Sequence, residues 1–289
     1  MFVITGVTGN TGSATAQALL DAGKDVRVIV RSEEKGLVWK DKGAEVVVAD
    51  LFDGAAVTKA LEGAEATYLM LPPDYASTDF LGSRMELAEI LVKAAEDANV
   101  PHVVFLSSVG AQHSHDDKTG PIRTLAYFER LFEKSPIKTT AIRPGYFLEN
   151  WGAVLQPVLN DGVLPSFLQP LDMKIDMIAT QDIGKKIADS LLNPGDDAHR
   201  VQELKGAAQY SPRDVAQAFS KALNKDITPI EVPEEGWAPG LVQAGFPQST
   251  ADLFVEMYQN INSGFIDFTQ ENAAKGQTEL DDFIKRFVA

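Results

Sequence analysis

Cysteine is absent from this chain. Disulfides, thiolate nucleophiles and cysteine-ligated metals are excluded with it. Positive charge is scarce: 26 Lys and Arg stand against 41 Asp and Glu, a formal net charge of −15. Such a surface repels phosphate backbones and anionic lipid, which argues against nucleic-acid or membrane binding through a general basic face. No apolar run approaches the roughly 18 residues of a membrane span. The N-terminus begins as a strand, with no basic n-region ahead of a signal core. These absences lead us to expect a soluble, cytoplasmic protein. What remains is ordinary globular composition, 45% apolar and 23% charged over 289 residues. That length holds one large domain or two modest ones.

The first 145 residues alternate strand-like and helix-like blocks. FVITG (2–6), DVRVIVR (25–31), AEVVVADL (44–51), ATYLML (66–71), HVVFLSS (102–108) and KTTAIRPG (138–145) are near-continuous apolar runs. A sheet covered on both faces requires runs of this kind. Between them, residues 82–98 set Met85, Ala88, Leu91, Val92 and Ala95 on one helical stripe. Alternation of this kind predicts parallel strands with right-handed crossovers, a doubly wound α/β sheet. After Asn150, Pro157, Pro165, Pro170 and Pro194 interrupt the regularity. Helix starts are expected at Ser211-Pro212, at Ser249 or Thr250, and at Thr278. The expected division is a nucleotide-binding domain over 1–150, completed by a segment near 170–205. A smaller, mostly helical lobe over 151–289 covers the strand ends.

Gly6-Val7-Thr8-Gly9-Asn10-Thr11-Gly12 lies between a short apolar strand and an Ala-rich helix. In that setting the glycines provide a tight turn, close approach of backbone to a pyrophosphate, and tight helix–strand packing. The helix N-terminus adds free N–H groups and the favourable end of its dipole. The choice of nucleotide falls at the end of the second strand, about 20 residues further on. A carboxylate there would accept from both ribose hydroxyls. Arg31-Ser32 stand there instead, a fixed cation and a hydroxyl that suit a 2′-phosphate, unless Arg31 is merely a solvated side chain. Asp50 and Leu51 end the third strand and are placed to frame adenine. Leu71, Pro72 and Pro73 end the fourth and would run along the middle of the cofactor. NADP(H) is the expected ligand.

GVTGNTG, Arg31, FLSSVGA (105–111) and Arg143-Pro144-Gly145-Tyr146-Phe147-Leu148-Glu149-Asn150 together resemble the NmrA-like branch of the atypical short-chain dehydrogenase/reductase superfamily. The segment from Trp237 through Gly245-Phe246-Pro247 to the helix at 250–264 is similar to members of that branch. These include NAD(P)H-dependent quinone, azo and triphenylmethane-dye reductases. The resemblance implies a Rossmann domain with a lid lobe, and a substrate entering between them. It also implies that Ser107, Ser108, Pro144, Gly145 and Phe147 line the cofactor.

One expected feature is missing. Carbonyl-reducing relatives pair a Tyr with a Lys four residues on, the phenol protonating the developing alkoxide. Here Tyr127 is followed at that spacing by Leu131. The NmrA-like branch often keeps a Lys or His four residues before a helix glutamate; with Glu129 as that residue, the position holds Leu125. Ser108, Tyr127 and His113 remain as candidate catalytic side chains. Ser107 or Ser108 can equally cap a strand end, and Tyr127 can simply pack on its helix. Gln112-His113-Ser114-His115-Asp116-Asp117 could gate the crevice or supply an acid, and no metal is expected there. Tyr146, Phe147, Leu148 and Trp151 form either a flat aromatic pocket or a hinge core.

Two readings follow. In the first, NADPH reduces a quinone, azo bond or cationic dye that tolerates the lost acid. In the second, the chain is a non-catalytic NADP(H) redox sensor of the NmrA type, coupling nucleotide occupancy to a partner surface. A nucleotide-sugar epimerase would need the Tyr/Lys pair. The expected partners are a small aromatic or quinone-like molecule and, for assembly, a homodimer.

Overall fold

The computed structural model describes residues 1–113 and 118–289. The apolar runs of the first half are strands, and helices occupy the stretches between them. In order these are β1 (Phe2–Ile4), α1 (Asn10–Asp21), β2 (Val26–Val30), α2 (Glu33–Asp41), β3 (Glu45–Val48), α3 (Gly54–Leu61), β4 (Ala66–Leu69), α4 (Phe80–Asp97), β5 (His102–Leu106), α5 (Ile122–Glu133) and β6 (Lys138–Pro144). Beyond them lie β7 (Tyr146–Phe147), α6 (Leu155–Asp161), β8 (Val163–Ser166), β9 (Ile175–Ile178), α7 (Thr180–Leu192), β10 (His199–Lys205), β11 (Gln209–Tyr210) and α8 (Pro212–Leu223). The chain closes with β12 (Thr228–Glu231), α9 (Trp237–Gln243), α10 (Gln248–Asn262), β13 (Ala274–Lys275) and α11 (Leu280–Phe287).

Eight strands form one sheet in the order β13-β10-β6-β5-β4-β1-β2-β3, and each adjacent pair is parallel. The order reverses between β1 and β4, which opens a crevice at the carboxyl ends of the strands. Most first-half strands stop short of the apolar runs that announce them. Their last residues, such as Arg31, Asp50 and Leu71, leave the ladder and turn into the crevice loops. Both faces are covered. Val3 points into a core shared with α3, α4 and α5, while Phe2 and Ile4 point into one shared with α1 and α7. Phe105, Phe128 and Phe132 cluster in the first, with ring centroids 5.1, 4.8 and 4.9 Å apart. Burying each such ring is worth about 1.5–3 kcal/mol. In the second, α7 lies against α1 so closely that a Cβ on Gly184 would come within 2.4 Å of the Ala14 Cβ.

The late half is less purely helical than its sequence suggests. Among the described residues it carries a three-stranded sheet, β11-β9-β7, and a two-stranded one, β12-β8. These strands are two to four residues long and broken by prolines, too short for alternation to register. Their core gathers Leu148, Trp151, Leu164, Phe219, Phe283 and Ile284. Ser211 and Asp214 form a reciprocal capping box on α8, as the sequence spacing implies. At α10 the helix begins at Gln248, one residue ahead of the expected hydroxyls. Ser249 and Thr250 serve otherwise, donating to the Thr78 and Ser77 carbonyls at 2.9 and 2.6 Å and stapling α10 to the loop after β4.

Buried carboxylates tie the final segment back to the sheet. Glu203, on β10, accepts from the Thr269 and Gln270 amides and from the Thr269 hydroxyl. Asp182, on α7, accepts from the Gln277 and Thr278 amides at 2.9 and 2.8 Å. Glu149 likewise accepts from the Thr180 amide and hydroxyl at the start of α7.

Candidate active site

The loop between β1 and α1 is a tight turn that ends at an uncapped helix start. Gly6 sits at φ +68°, a conformation side chains rarely adopt, and its carbonyl accepts from the Gly9 amide at 2.9 Å. Gly12 is a packing glycine: a Cβ there would lie 2.4 Å from the Gly6 oxygen and 2.6 Å from that of Thr5. Gly9 is different. A Cβ on it would meet only the Gly6 oxygen, at 3.4 Å, so its outer side is open. Gly9 is also the N-cap of α1 and makes no side-chain capping bond. The first amides of the helix, at Asn10, Thr11 and Gly12, therefore lack intrahelical partners and carry the positive end of the dipole. Thr8 and Asn10 are exposed beside them. The Thr11 hydroxyl is committed elsewhere, 2.9 Å from the buried Tyr68 hydroxyl, so Thr11 offers the site its amide alone.

Arg31 follows β2 directly and is exposed, without an ion pair or hydrogen bond among the described residues. Ser32 is the N-cap of α2, and its hydroxyl makes no capping bond. A cation and a hydroxyl thus stand unspent at this strand end, although Glu33 and Glu34 follow in the first turn of α2. Asp50 accepts from the Phe52 amide at 3.0 Å, which turns the loop after β3. Leu51 is half-buried, and Leu71 is buried in the same core. The Pro72 carbonyl receives a 2.5 Å bond from Arg84, a buried α4 cation that the sequence reading did not single out. Arg84 lies 5.4 Å from the Phe52 ring centroid and so braces the loops after β3 and β4 together.

At the ends of β5 and β6 a second unforeseen cluster appears. Ser107 donates to Glu129, which Arg143 holds through a bidentate pair, its Nε 2.8 Å from Oε1. The Glu129 and Arg143 side chains are 6% and 11% exposed, so this is a buried ion pair, and removing one partner strands the other. Ser108 donates to the Val109 carbonyl at 2.8 Å. The Pro144 carbonyl accepts from the Val109 amide at 3.2 Å, joining the two strand ends. Gly145 packs where a Cβ would meet the Asp176 oxygen at 2.7 Å, and Phe147 leans on the α1–α7 core.

Leu125, Tyr127 and Leu131 all pack against the α3–α5 core. The Tyr127 hydroxyl donates to Glu89 on α4 at 2.5 Å, and that bond, with some burial, raises its pKa. His113 stacks on Phe265, ring centroids 4.2 Å apart, rather than standing free. His115, with Ser114, Asp116 and Asp117, lies outside the described residues. Among the described residues no three His, Asp or Glu side chains gather as a metal site. No helix among them is long and apolar enough to cross a membrane.

The crevice mouth is aromatic. Tyr75, after β4, lies 5.1 Å from Phe246 and 5.7 Å from Phe254 on α10. One turn further along α10, Tyr258 packs edge-on to Phe167 at 5.3 Å and sits 3.4 Å, oxygen to oxygen, from Tyr146 on β7. Tyr75, Phe254 and Tyr258 gave no sequence signal as a group, because the loop after β4 and α10 are far apart in the chain.

A doubly wound sheet with an open glycine loop at its switch point defines a Rossmann-type nucleotide-binding protein. The chain belongs to the NmrA-like family, whose model matches residues 1–283. Quinone oxidoreductase 2 of Escherichia coli strain K12 is 26% identical to it over 258 residues, 89% of this chain and 86% of that one. An E. coli NADPH-dependent quinone oxidoreductase crystallised with NADPH superposes with a TM-score of 0.83 at 24% identity, over 100% of both chains. The Citrobacter sp. triphenylmethane reductase complexed with NADP(H) gives 0.81 at 21% identity, over 99% of each. At those identities the two structures speak for the fold.

Proposed function

We propose that the chain is an NADPH-dependent oxidoreductase acting on a small conjugated acceptor. The open side of Gly9, at the uncapped start of α1, carries this reading. It leaves room for a pyrophosphate where a side chain would stand, and Arg31, unpartnered among the described residues, offers a charge-assisted bond to a 2′-phosphate. When bound, NADPH supplies the reducing equivalents. The protein's part is placement. The α1 amides fix the phosphates, and Leu71, Pro72 and Pro73, braced by Arg84, form one wall. The Ser107–Glu129–Arg143 cluster holds the ends of β5 and β6 as the floor. The aromatic side chains around Tyr75 and Tyr258 favour a flat substrate and exclude water.

Leu125 and Leu131 offer no proton and no ribose contact, and the Tyr127 hydroxyl is engaged with Glu89. This favours acceptors that delocalise the arriving charge themselves, as the quinone-reducing and dye-reducing names of the relatives also do. We read residues 1–150, with α7, β10 and β13, as the nucleotide-binding unit, the remainder as the lobe over its crevice, and the setting as the cytoplasm. The test is NADPH oxidation by purified protein against quinones, azo dyes, triphenylmethane dyes and simple aldehydes. Turnover of the conjugated acceptors with poor aldehyde reduction is expected, and Tyr127→Phe should cost far less than the roughly 10²–10⁴-fold typical of a lost general acid. Tight nucleotide binding with no acceptor reduced would assign the chain to the redox-sensor role instead.

A further inference from the structure

Two phenols meet where the sheet's crevice opens toward the lobe. Tyr146 follows Gly145 at the end of β6, and Tyr258 projects from α10. Tyr75, from the loop after β4, packs on Phe254, one turn before Tyr258 on α10, with ring centroids 5.7 Å apart. In the sheet β5 lies between β4 and β6. Groups from the β4 and β6 loops that converge on this stretch of α10 therefore span the end of β5, where Ser107 and Ser108 stand. The phenol pair is at the mouth of the candidate site.

The hydroxyls are poorly used as they stand. Their 3.4 Å separation is long beside the roughly 2.7–2.8 Å common for O–H···O bonds. A link between two hydroxyls also spends only one of the two hydrogens. One phenol hydrogen of the pair is therefore left with no acceptor among the described residues, and Tyr258, on α10 beside the loop after β4, is the one placed to turn it toward a ligand. Both residues are half-buried rather than sealed in the core. Burial also raises both pKa values, which keeps both hydroxyls protonated and donating across the neutral range.

We propose that Tyr258, backed by Tyr146, is a hydrogen-bond donor to a carbonyl oxygen of the substrate, which makes this site selective for quinone-type acceptors over dyes lacking such an oxygen. The inference rests on the oxidoreductase reading and narrows its substrate. NADPH, a quinone and one proton give NADP⁺ and a hydroquinone. The quinone is reduced by two electrons, charge grows on its oxygen, and the balancing proton comes from solvent while the phenols keep theirs. A donor aimed at that oxygen strengthens its bond as the charge grows, and so acts more on turnover than on binding. An oxygen about 2.8 Å from both phenol oxygens also fits the present separation without moving either ring.

The probes are menadione, which carries two ring carbonyls, and crystal violet, which carries none. Tyr258→Phe is expected to lower kcat for menadione about 10²-fold. Its menadione affinity, read by tryptophan fluorescence of the NADP⁺-loaded protein, should weaken about three- to tenfold. Tyr146→Phe should lie between wild type and Tyr258→Phe. Crystal violet binding should stay within about twofold in both variants, as should NADPH affinity. If menadione binds wild type and Tyr258→Phe equally, or if crystal violet loses as much affinity as menadione, the assignment is overturned and the pair is a latch for α10. The binding arm decides this even if no acceptor is reduced, an outcome that would remove the enzyme reading separately. Should Tyr258→Phe fail to fold, the same two comparisons on Tyr146→Phe decide, with smaller expected shifts.

Discussion

Arg31 is one cation in a chain where acidic residues outnumber basic ones, and among the described residues it makes no ion pair or hydrogen bond. A charge-assisted hydrogen bond to the 2′-phosphate is worth about 1.5–3 kcal/mol, roughly ten- to a hundredfold in affinity. Arg31→Ala should therefore weaken NADPH by that factor and leave NADH nearly unchanged in paired calorimetric titrations. Equal affinities for the two nucleotides in the unmutated protein would remove Arg31 from the site. At this scale the sequence was informative where one residue stands at a fixed distance from a motif, as Arg31 does from the glycine loop. It was silent where function needs partners from remote segments. Tyr75 and Tyr258, or Glu129 and Arg143, are ordinary side chains until the crossovers bring them together. Arg84 inside an amphipathic helix has no local mark at all.

Within the β1–α1 element, two glycines of one motif carry different loads. A side chain on Gly9 has free space in the folded protein and conflict only with a bound pyrophosphate. Gly9→Val should thus melt within about 2 °C of the parent, as open surface changes do, and lose measurable NADPH binding. A side chain on Gly12 would press on the Thr5 and Gly6 carbonyls of the protein itself. Gly12→Ala should cost about 1–3 kcal/mol of stability in denaturant unfolding, whether or not nucleotide is present. Normal NADPH affinity in Gly9→Val would reduce the loop to a plain turn. Elements of this kind were legible because buried parallel strands write continuous apolar runs and a phosphate loop needs glycine at set intervals. The strands of the lobe, down to two residues long, write nothing comparable, and hydroxyls at a helix start can be taken for caps when they are staples, as at Ser249 and Thr250.

Across the whole molecule, the end of the sheet opposite the crevice holds its own titrating group. His102 begins β5, is buried, and lies 3.1 Å through Nε2 from the Thr140 hydroxyl, while its Nδ1 has no partner among the described residues. Burial first, then the nearby charges of Arg200 and Lys138, lowers its pKa to about 4. The unfolded chain takes up this proton near pH 6.5 and the folded one only near 4. Between those values the unfolded state binds more protons, so stability falls as the pH is lowered from about 6.5 toward 4. His102→Gln should flatten that part of the stability–pH curve in urea melts, with nucleotide affinity at pH 7 unchanged. An unaltered slope would show that carboxylates alone set the acid limit.

The anchoring of the last segment bears on how the protein is made. Among the described residues, Glu203 and Asp182 find their donors only at Thr269, Gln270, Gln277 and Thr278. Strand β13 pairs with β10 at the edge of the main sheet, and Leu280, Phe283 and Ile284 fill the lobe core. On the ribosome, the nucleotide loop and its first six strands emerge early. Two carboxylates of the later segments and one apolar core stay unsatisfied until residues 269–284 have been added. A nascent chain halted before residue 269 should therefore remain open to protease and to chaperones, with its crevice loops unfixed.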